Sequence, residues 1–159
     1  MSNTVLMRAQ DALSAKLAQC FVTIEEQRYN FMQMIDFEAK MEKTKKEVPI
    51  LGQTGSGNKS SGWKGTFKGK AHFNQSILRK LLLRYKKTGE DVYFEIMVTN
   101  DDPVSAAGVQ TINLFGCNLD GGILTKFDAS SDDYLDEDVE GTFEDWNMPT
   151  EFDVLPGMM

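Results

Sequence analysis

Two stretches of the sequence are similar to ligand-binding loops, and each departs from the pattern that its chemistry requires. The glycine-rich stretch 52–60 is similar to a phosphate-binding loop, but Asn58 separates Gly57 from Lys59, and a strand pattern follows. A phosphate-binding loop needs lysine directly after glycine and a helix N-terminus that binds the anion. The stretch 136–147 begins like a calcium-binding loop, but Asn147 stands where the bidentate glutamate should be. Neither a nucleotide site nor a calcium site is favoured.

The remaining reactive side chains also lack the partners that catalysis needs. His72 is the only histidine and alternates with lysines, without an evident nucleophile or metal ligand beside it. Cys20 and Cys117 lie far apart in sequence and are predicted to be buried residues of strands. We therefore expect a protein without a metal or cofactor and without enzymatic activity.

Residues 63–73 carry the clearest period-two alternation of the chain. Trp63, Phe67 and Phe73 share one face with glycines and Ala71, and the lysines share the other face with His72. A basic strand with aromatic residues could bind single-stranded nucleic acid. Such sites place aromatic rings and cations on the same face, so that bases stack while phosphates pair. The alternation weakens this hypothesis, and a single-stranded nucleic-acid-binding β-barrel remains the alternative function.

Charge is segregated along the chain. Residues 36–90 hold thirteen basic and five acidic side chains, whereas residues 91–159 hold one basic and sixteen acidic side chains. This arrangement fits either a basic nucleic-acid footprint beside an acidic tail or an assembly in which the two blocks face each other. With 159 residues we expect a single domain. Neither a membrane-spanning run nor a secretory signal is indicated, so we expect no stable membrane insertion.

The hydrophobic pattern predicts a mainly β protein with one helix. Strands are predicted at 20–24, 31–48, 63–73, 92–100, 109–120, 123–130 and 140–146. The strand 31–48 is expected to be half-buried, and Gly121-Gly122 should form the turn of a hairpin. This order of elements predicts an antiparallel β-barrel or sandwich with one flanking α-helix.

The helix is predicted at about residues 75–88, with Asn74 as its N-cap and Gly89 as its terminator. Its apolar stripe faces the core, and its basic residues, Arg79 included, are expected to lie outside. A short helix is also predicted within 4–18, in the N-terminal arm 1–18. Residues 147–159 are expected to form an irregular C-terminal tail.

The succession of several segments resembles the tail tube proteins of contractile bacteriophage tails, the XkdM type of the defective prophage PBSX, and those of related bacteriocins. The segments are RAQDALSAK, FEAKMEKTKKEV, ILGQTGSGNKSSGWKGTFKGKA, LLLRYKKTGED, VYFEIMVTNDDP and DVEGTFEDWNMPTEF, which together cover nearly the whole chain in order. The resemblance implies a phage tail tube fold, hexameric rings stacked into the inner tail tube, and a conduit for DNA or ions. It also implies sheath, baseplate and tail terminator proteins as partners, passage of DNA without specific binding, and a place in the virion after synthesis in the bacterial host cytoplasm.

The resemblance also implies which residues form subunit contacts. The long loop 49–62 would be the stacking contact between rings, through Pro49, Ile50, Leu51, Gly52, Gln53, Thr54, Gly55, Ser56, Gly57, Asn58, Lys59, Ser60, Ser61 and Gly62. A lumen that lets DNA pass should have its lysines paired or outnumbered by acids, because several free lysines would hold the phosphates. The candidate lumen or inter-subunit charge pairs are Lys64, Lys68 and Lys70 against Glu38, Glu42, Glu140 and Glu144.

Overall fold

The computed structural model describes residues 6–159, and its regular elements are mainly antiparallel strands. The strands are β1 (Ala18–Ile24), β2 (Gln27–Asn30), β3 (Met34–Pro49), β4 (Ser56–His72), β5 (Phe94–Asp101), β6 (Val109–Leu119), β7 (Asp136–Phe143) and β8 (Asp145–Thr150). The helix α1 spans Ile77–Thr88, and a 3-10 turn spans Ala9–Asp11. This architecture confirms the predicted mainly antiparallel β fold with one α-helix in the described residues. None of the helices in those residues is long and apolar enough to cross a membrane.

The chain folds as two compact units. The first contains the described residues up to Met32, together with 94–115 and 146–159. Its strand order is β2-β1-β5-β6, with β8 also paired to β6. The alternating residues Val22, Ile24, Phe94 and Ile96 are buried and form much of its core. The second unit contains 33–93 and 116–145, and its strand order is β3-β4-β7, continued by the end of β6.

The predicted helix at 4–18 is wrong for the described residues, and residues 4 and 5 lie outside them. Only Ala9–Asp11 is helical, as a single 3-10 turn. Hydrogen bonds to the rest of the first unit hold this segment in place: the Ala106 N–H donates to the Asp11 carboxylate (2.9 Å) and the Ser105 hydroxyl donates to the Asp11 carbonyl (2.8 Å). Tertiary hydrogen bonds therefore override the helical periodicity of an alanine-rich segment.

The core of the second unit lies on the apolar face that the alternation in β4 predicted. Phe67 of β4 and Phe143 of the neighbouring β7 are buried, and each lies directly opposite a glycine of the other strand that leaves room for its ring. A Cβ added at Gly141 would overlap the Asn118 carbonyl oxygen and the Phe67 ring. A side chain at position 141 would therefore collide with the backbone of β6 and with the Phe67 ring, so this position of β7 requires glycine.

The helix α1 confirms the predicted element, with two differences in detail. Its N-cap is Ser76 instead of Asn74, and it ends as predicted at Gly89, whose φ of 72° is left-handed. Arg79 was predicted to lie outside, and this is wrong. Its guanidinium sits 4.3 Å from the centre of the Phe73 ring and forms an ion pair with the buried Glu137. The apolar stripe is at most half-buried, with Tyr85 53% exposed, so the charge is an important part of how the helix docks.

Four further expectations differ from the structure. The strand predicted at 31–48 forms as β3 but is almost entirely exposed. It lies at the edge of the sheet, where β4 is its neighbouring strand. Within the predicted loop 49–62, Ser56–Gly62 belongs to β4. The predicted strand 123–130 is irregular, with Leu124 and Phe127 exposed. The strand predicted at 140–146 is two strands, and β8 takes the first residues of the predicted irregular tail 147–159.

Candidate assembly surfaces

A long hairpin dominates the second unit. β3 and β4 pair continuously from Met34 opposite Ala71 to Pro49 opposite Ser56, with irregularities after Met34 and after Thr44. β7 accompanies β4 from Gly65 to His72. Residues 43–63, which we call the distal hairpin, therefore extend past β7 as two strands in the described part of the chain.

The tip of the distal hairpin is the irregular segment 50–55. Leu51 is fully exposed there, and Ile50 is 42% exposed. The structure thus divides the predicted stacking residues into two groups: six at the tip, and the rest in the two paired strands. Exposed aliphatic side chains at the end of a hairpin have little to contact within one subunit, so this tip is a candidate contact with another chain.

The outer edge of β3 is the second candidate surface. β3 stands at the end of the strand order, with β4 as its neighbour, and it is 16 residues long. An edge strand presents a row of unpaired backbone N–H and C=O groups, which is a template for another strand. Lysines on β3, such as Lys40 and Lys43, discourage pairing with an arbitrary strand, because a partner must complement their charge.

The polar side chains of β3, β4 and β7 form a charged face, in which most of the predicted charge-pair residues meet. Lys68 lies directly between Glu38 of β3 and Glu140 of β7. One row further along, Lys70 lies between Asp36 and Asp138 in the same manner, and its backbone N–H donates to the Asp36 carboxylate (3.0 Å). Opposite charges in directly facing positions stabilise a sheet modestly.

The other predicted pair residues lie near the distal end of this face. Lys64 is the cross-strand partner of Glu42. Glu42 makes its ion pair with Lys40 instead, two residues along the same strand, at 3.0 Å. The hydrogen bond and charge of Glu42 raise the pKa of Lys40, and those of Lys40 lower the pKa of Glu42. Glu144 shares a shallow recess with Lys64 and approaches Gly116.

The residues that the sequence analysis considered for chemistry lie in the strands of the sheet. Lys59 lies in a strand, and His72 faces Asp136 across the sheet. Cys20 and Cys117 are not joined in a disulfide, and burial raises the pKa of the Cys20 thiol to about 11. Within residues 6–159 no group of three or more candidate ligand side chains could hold a metal ion.

The aromatic rings and the lysines of β4 lie on opposite faces. Phe67 is only 2% exposed, stacked at 5.9 Å on Phe37, whereas Lys68 next to it is exposed on the charged face. Bases stacked on these rings could not have their phosphates at these lysines. This geometry lacks what a single-stranded nucleic-acid site requires.

Comparison with known proteins identifies the family. The model of a family described as phage tail tube protein matches residues 5–150. The chain belongs to the phage tail tube protein family. This tail tube protein is 33% identical over 143 residues to the phage-like element PBSX protein XkdM of Bacillus subtilis strain 168, covering 90% of this chain and 94% of the relative. It is 34% identical over 147 residues to YqbM of the same organism, with the same coverage. The predicted resemblance is therefore confirmed, and the protein is a structural subunit of a phage or phage-like tail.

Solved structures share the fold of this tail tube protein. A chain in the cryo-EM structure of the anti-feeding prophage baseplate matches with a TM-score of 0.61 and 13% identity, covering 100% of this chain and 99% of that one. A chain in the sheath-tube complex of an extracellular contractile injection system, in its extended state, matches with a TM-score of 0.61 and 10% identity, covering 82% and 87%. At such low identity these matches establish the tail tube fold.

Sequence reasoning missed three features of these surfaces. It did not find the open edge of β3, the facing lysines Lys46 and Lys59, or the ion pair of Arg79 with Glu137. Register could have suggested the lysine pair, since a hairpin closed at the Gly/Ser-rich segment brings residues 43–48 opposite residues 57–63. The edge position of β3 and the ion pair of Arg79 with Glu137 depend on which elements pack together, and the spacing of residues in the sequence does not indicate this.

Proposed function

We propose that residues 1–159 act as a single tail tube domain that assembles into hexameric rings, and that these rings stack into the inner tube of a contractile tail. The observation that carries this proposal is the open β3 edge of 16 residues. A strand of a neighbouring subunit placed against this edge satisfies its backbone groups and joins the subunit sheets into one wall. The contact is heterologous, and in this proposal the rotation between neighbours is one sixth of a turn, so that it closes into a ring within a layer.

The distal hairpin supplies the contact between rings in this proposal. Its tip residues Ile50 and Leu51 are exposed, and its strands extend past β7. The nine residues of β4 before Gly65 span about 30 Å, which is long enough to reach a subunit in the next ring. The N-terminal arm and the C-terminal tail are further candidates for such contacts.

The charged face lines the lumen in this proposal. Lys68 and Lys70 each lie between two acidic residues, so few cations are free to hold phosphates. DNA or ions would then pass without specific binding.

The tube works mechanically, with no enzymatic step and no stable membrane insertion. Its partners are further copies of the chain and the sheath, baseplate and tail terminator proteins. Synthesis takes place in the cytoplasm of the bacterial host.

Electron microscopy of the purified protein tests the proposal. At high protein concentration we expect tubes whose end-on views have sixfold symmetry, and centrifugation should pellet them. A parallel filter-binding assay with a single-stranded oligonucleotide should give weak retention. Discrete particles at every concentration, together with tight and salt-sensitive oligonucleotide binding, would favour the nucleic-acid-binding alternative and overturn the proposal.

A further inference from the structure

The distal hairpin carries an uncompensated positive charge. Lys46 and Lys59 are direct cross-strand partners, so two like charges occupy one face, which is unfavourable in an isolated hairpin. Glu47 is the only acidic residue of the distal hairpin, and it faces Asn58. All four lysines are exposed: Lys43, Lys45, Lys46 and Lys59. A partner that places negative charge beside Lys46 and Lys59 relieves their repulsion.

An uncompensated negative charge lies in residues 128–133, which we call the acidic segment. It contains Asp128, Asp132 and Asp133, all exposed, and no basic residue. Asp128 accepts hydrogen bonds from the hydroxyl (2.7 Å) and the N–H (3.0 Å) of Ser130, which lower its pKa and keep it ionised. The acids that follow the segment have cations of their own subunit beside them: Lys126 is 3.4 Å from Asp136, and Arg79 pairs with Glu137.

These two charged features lie at opposite ends of the same sheet. The acidic segment is anchored on both sides at the His72 end of β4: Lys126 pairs with Asp136, which faces His72, and the Phe73 N–H donates to the Leu135 carbonyl (3.1 Å). Lys59 is separated from His72 by thirteen residues of strand, or about 40 Å. The loop between these two anchors has eight residues, 127–134, and a loop of that length that returns to its starting point reaches at most about 15 Å. The lysines of the distal hairpin therefore cannot contact the acidic segment of their own subunit.

We propose that the distal hairpin of one subunit docks its lysines on the acidic segment of a second copy of this chain in the next ring. This inference rests on the proposed function and names the surface that the hairpin meets. Positive charge at one end of each subunit and negative charge at the other specify head-to-tail stacking, because head-to-head contact would bring like charges together. Such a heterologous contact does not close along the axis, so it continues as a tube.

Charge reversal on the two sides tests this pairing. The first variant carries Lys46→Glu and Lys59→Glu, the second carries Asp132→Lys and Asp133→Lys, and the third combines all four changes. Lys80→Glu with Lys87→Glu is the matched control, since both lysines are exposed on α1 and the change in net charge equals that of the first variant. Circular dichroism and thermal unfolding establish that each variant is folded. The concentration of protein left in the supernatant after tubes are pelleted is the critical concentration for assembly.

We expect the first and second variants each to raise the critical concentration about tenfold or more. Each exposed ion pair contributes a fraction of a kcal/mol, and the loss of several of them together amounts to about a tenfold change in the association constant. The combined variant should restore it, and the control should match the unmodified protein. For the unmodified protein, the critical concentration should rise between 0.05 M and 0.5 M NaCl, because salt screens exposed charges.

The outcomes separate this inference from the proposed function. If the unmodified protein forms tubes at a critical concentration that is independent of salt and of the lysine reversal, the inference is wrong and the proposed function stands. Failure of the combined variant to recover would also reject the pairing, even if both separate variants assemble poorly. Absence of tubes from the unmodified protein under every condition would overturn the proposed function itself.

Discussion

Arg79 shows how much a single side chain can decide in this fold. The guanidinium packs over Phe73 and pairs with Glu137, and the side chains of Arg79 and Glu137 are 18% and 7% exposed. Arg79 therefore links α1 to the start of β7. Its helical position among other basic residues gave no indication of burial, because the acid that it meets lies 58 positions away in sequence. A buried ion pair depends on both partners, since either partner alone is an uncompensated charge.

We predict that Arg79→Met lowers the free energy of unfolding by about 3 kcal/mol or more, because it leaves the Glu137 carboxylate buried without its cation. Urea unfolding followed by circular dichroism measures the loss. Lys80→Met, at the exposed neighbouring position, is the control and should change the free energy by no more than about 0.5 kcal/mol. A loss below about 1 kcal/mol for Arg79→Met would mean that the pair contributes little.

Among the elements, the β3–β4 hairpin is the one whose form differs most from expectation. Alternation predicted both strands, and the segment between them was expected to be the long loop 49–62. In the structure Ser56–Gly62 continues β4, since every residue except Ser61, which lies at the irregularity after Thr44, has a partner on β3. Glycine and serine have low strand propensity, and cross-strand pairing with the long β3 overrides it.

We predict that the distal hairpin is dispensable for folding and required for assembly. Deletion of residues 45–61, with an Asn-Gly turn inserted between the facing residues Thr44 and Gly62, should keep the core, because the removed strands pair mainly with each other. Size-exclusion chromatography should give a folded, soluble subunit, and microscopy should show no stacked tubes. Loss of the cooperative unfolding transition would instead make the hairpin part of the folding core, and persistence of tubes would remove it from the stacking contact.

At the scale of the whole molecule, assembly should change the surroundings of exposed aromatic residues. Trp63 and Trp146 are the only two tryptophans, and they are 41% and 39% exposed in the single subunit. Trp63 lies on the distal hairpin, with its ring centre 6.2 Å from that of Phe143. Trp63 loses water on assembly if the contact with the next ring extends along the distal hairpin to its base.

We predict that a Trp146→Phe variant, in which Trp63 is the remaining fluorophore, shows a blue shift of its emission as tubes form. The shift should follow the fraction of protein that pellets. The corresponding Trp63→Phe variant reports on Trp146 and serves as the comparison. An emission maximum that stays constant for Trp63 while tubes accumulate would place this part of the hairpin outside the contact.

The sequence by itself determined the class of the fold, the helix and the apolar face of β4. Each depends on local periodicity: Phe67 and its alternating neighbours had to share one face of a strand, and the apolar residues of α1 had to share one face of the helix. The order of segments also indicated the tail tube family, which the comparisons confirmed.

Only the tertiary structure decided which elements face each other. It set Lys68 between Glu38 and Glu140, placed β3 at the edge of the sheet formed by residues 6–159, and put the acidic segment at the end of the sheet away from the hairpin tip. The basic and acidic residues of the chain thus partly occupy facing positions on neighbouring strands and partly lie at the two ends of the sheet. Pairing of distant strands follows from the packing of the whole chain, and local spacing does not encode it.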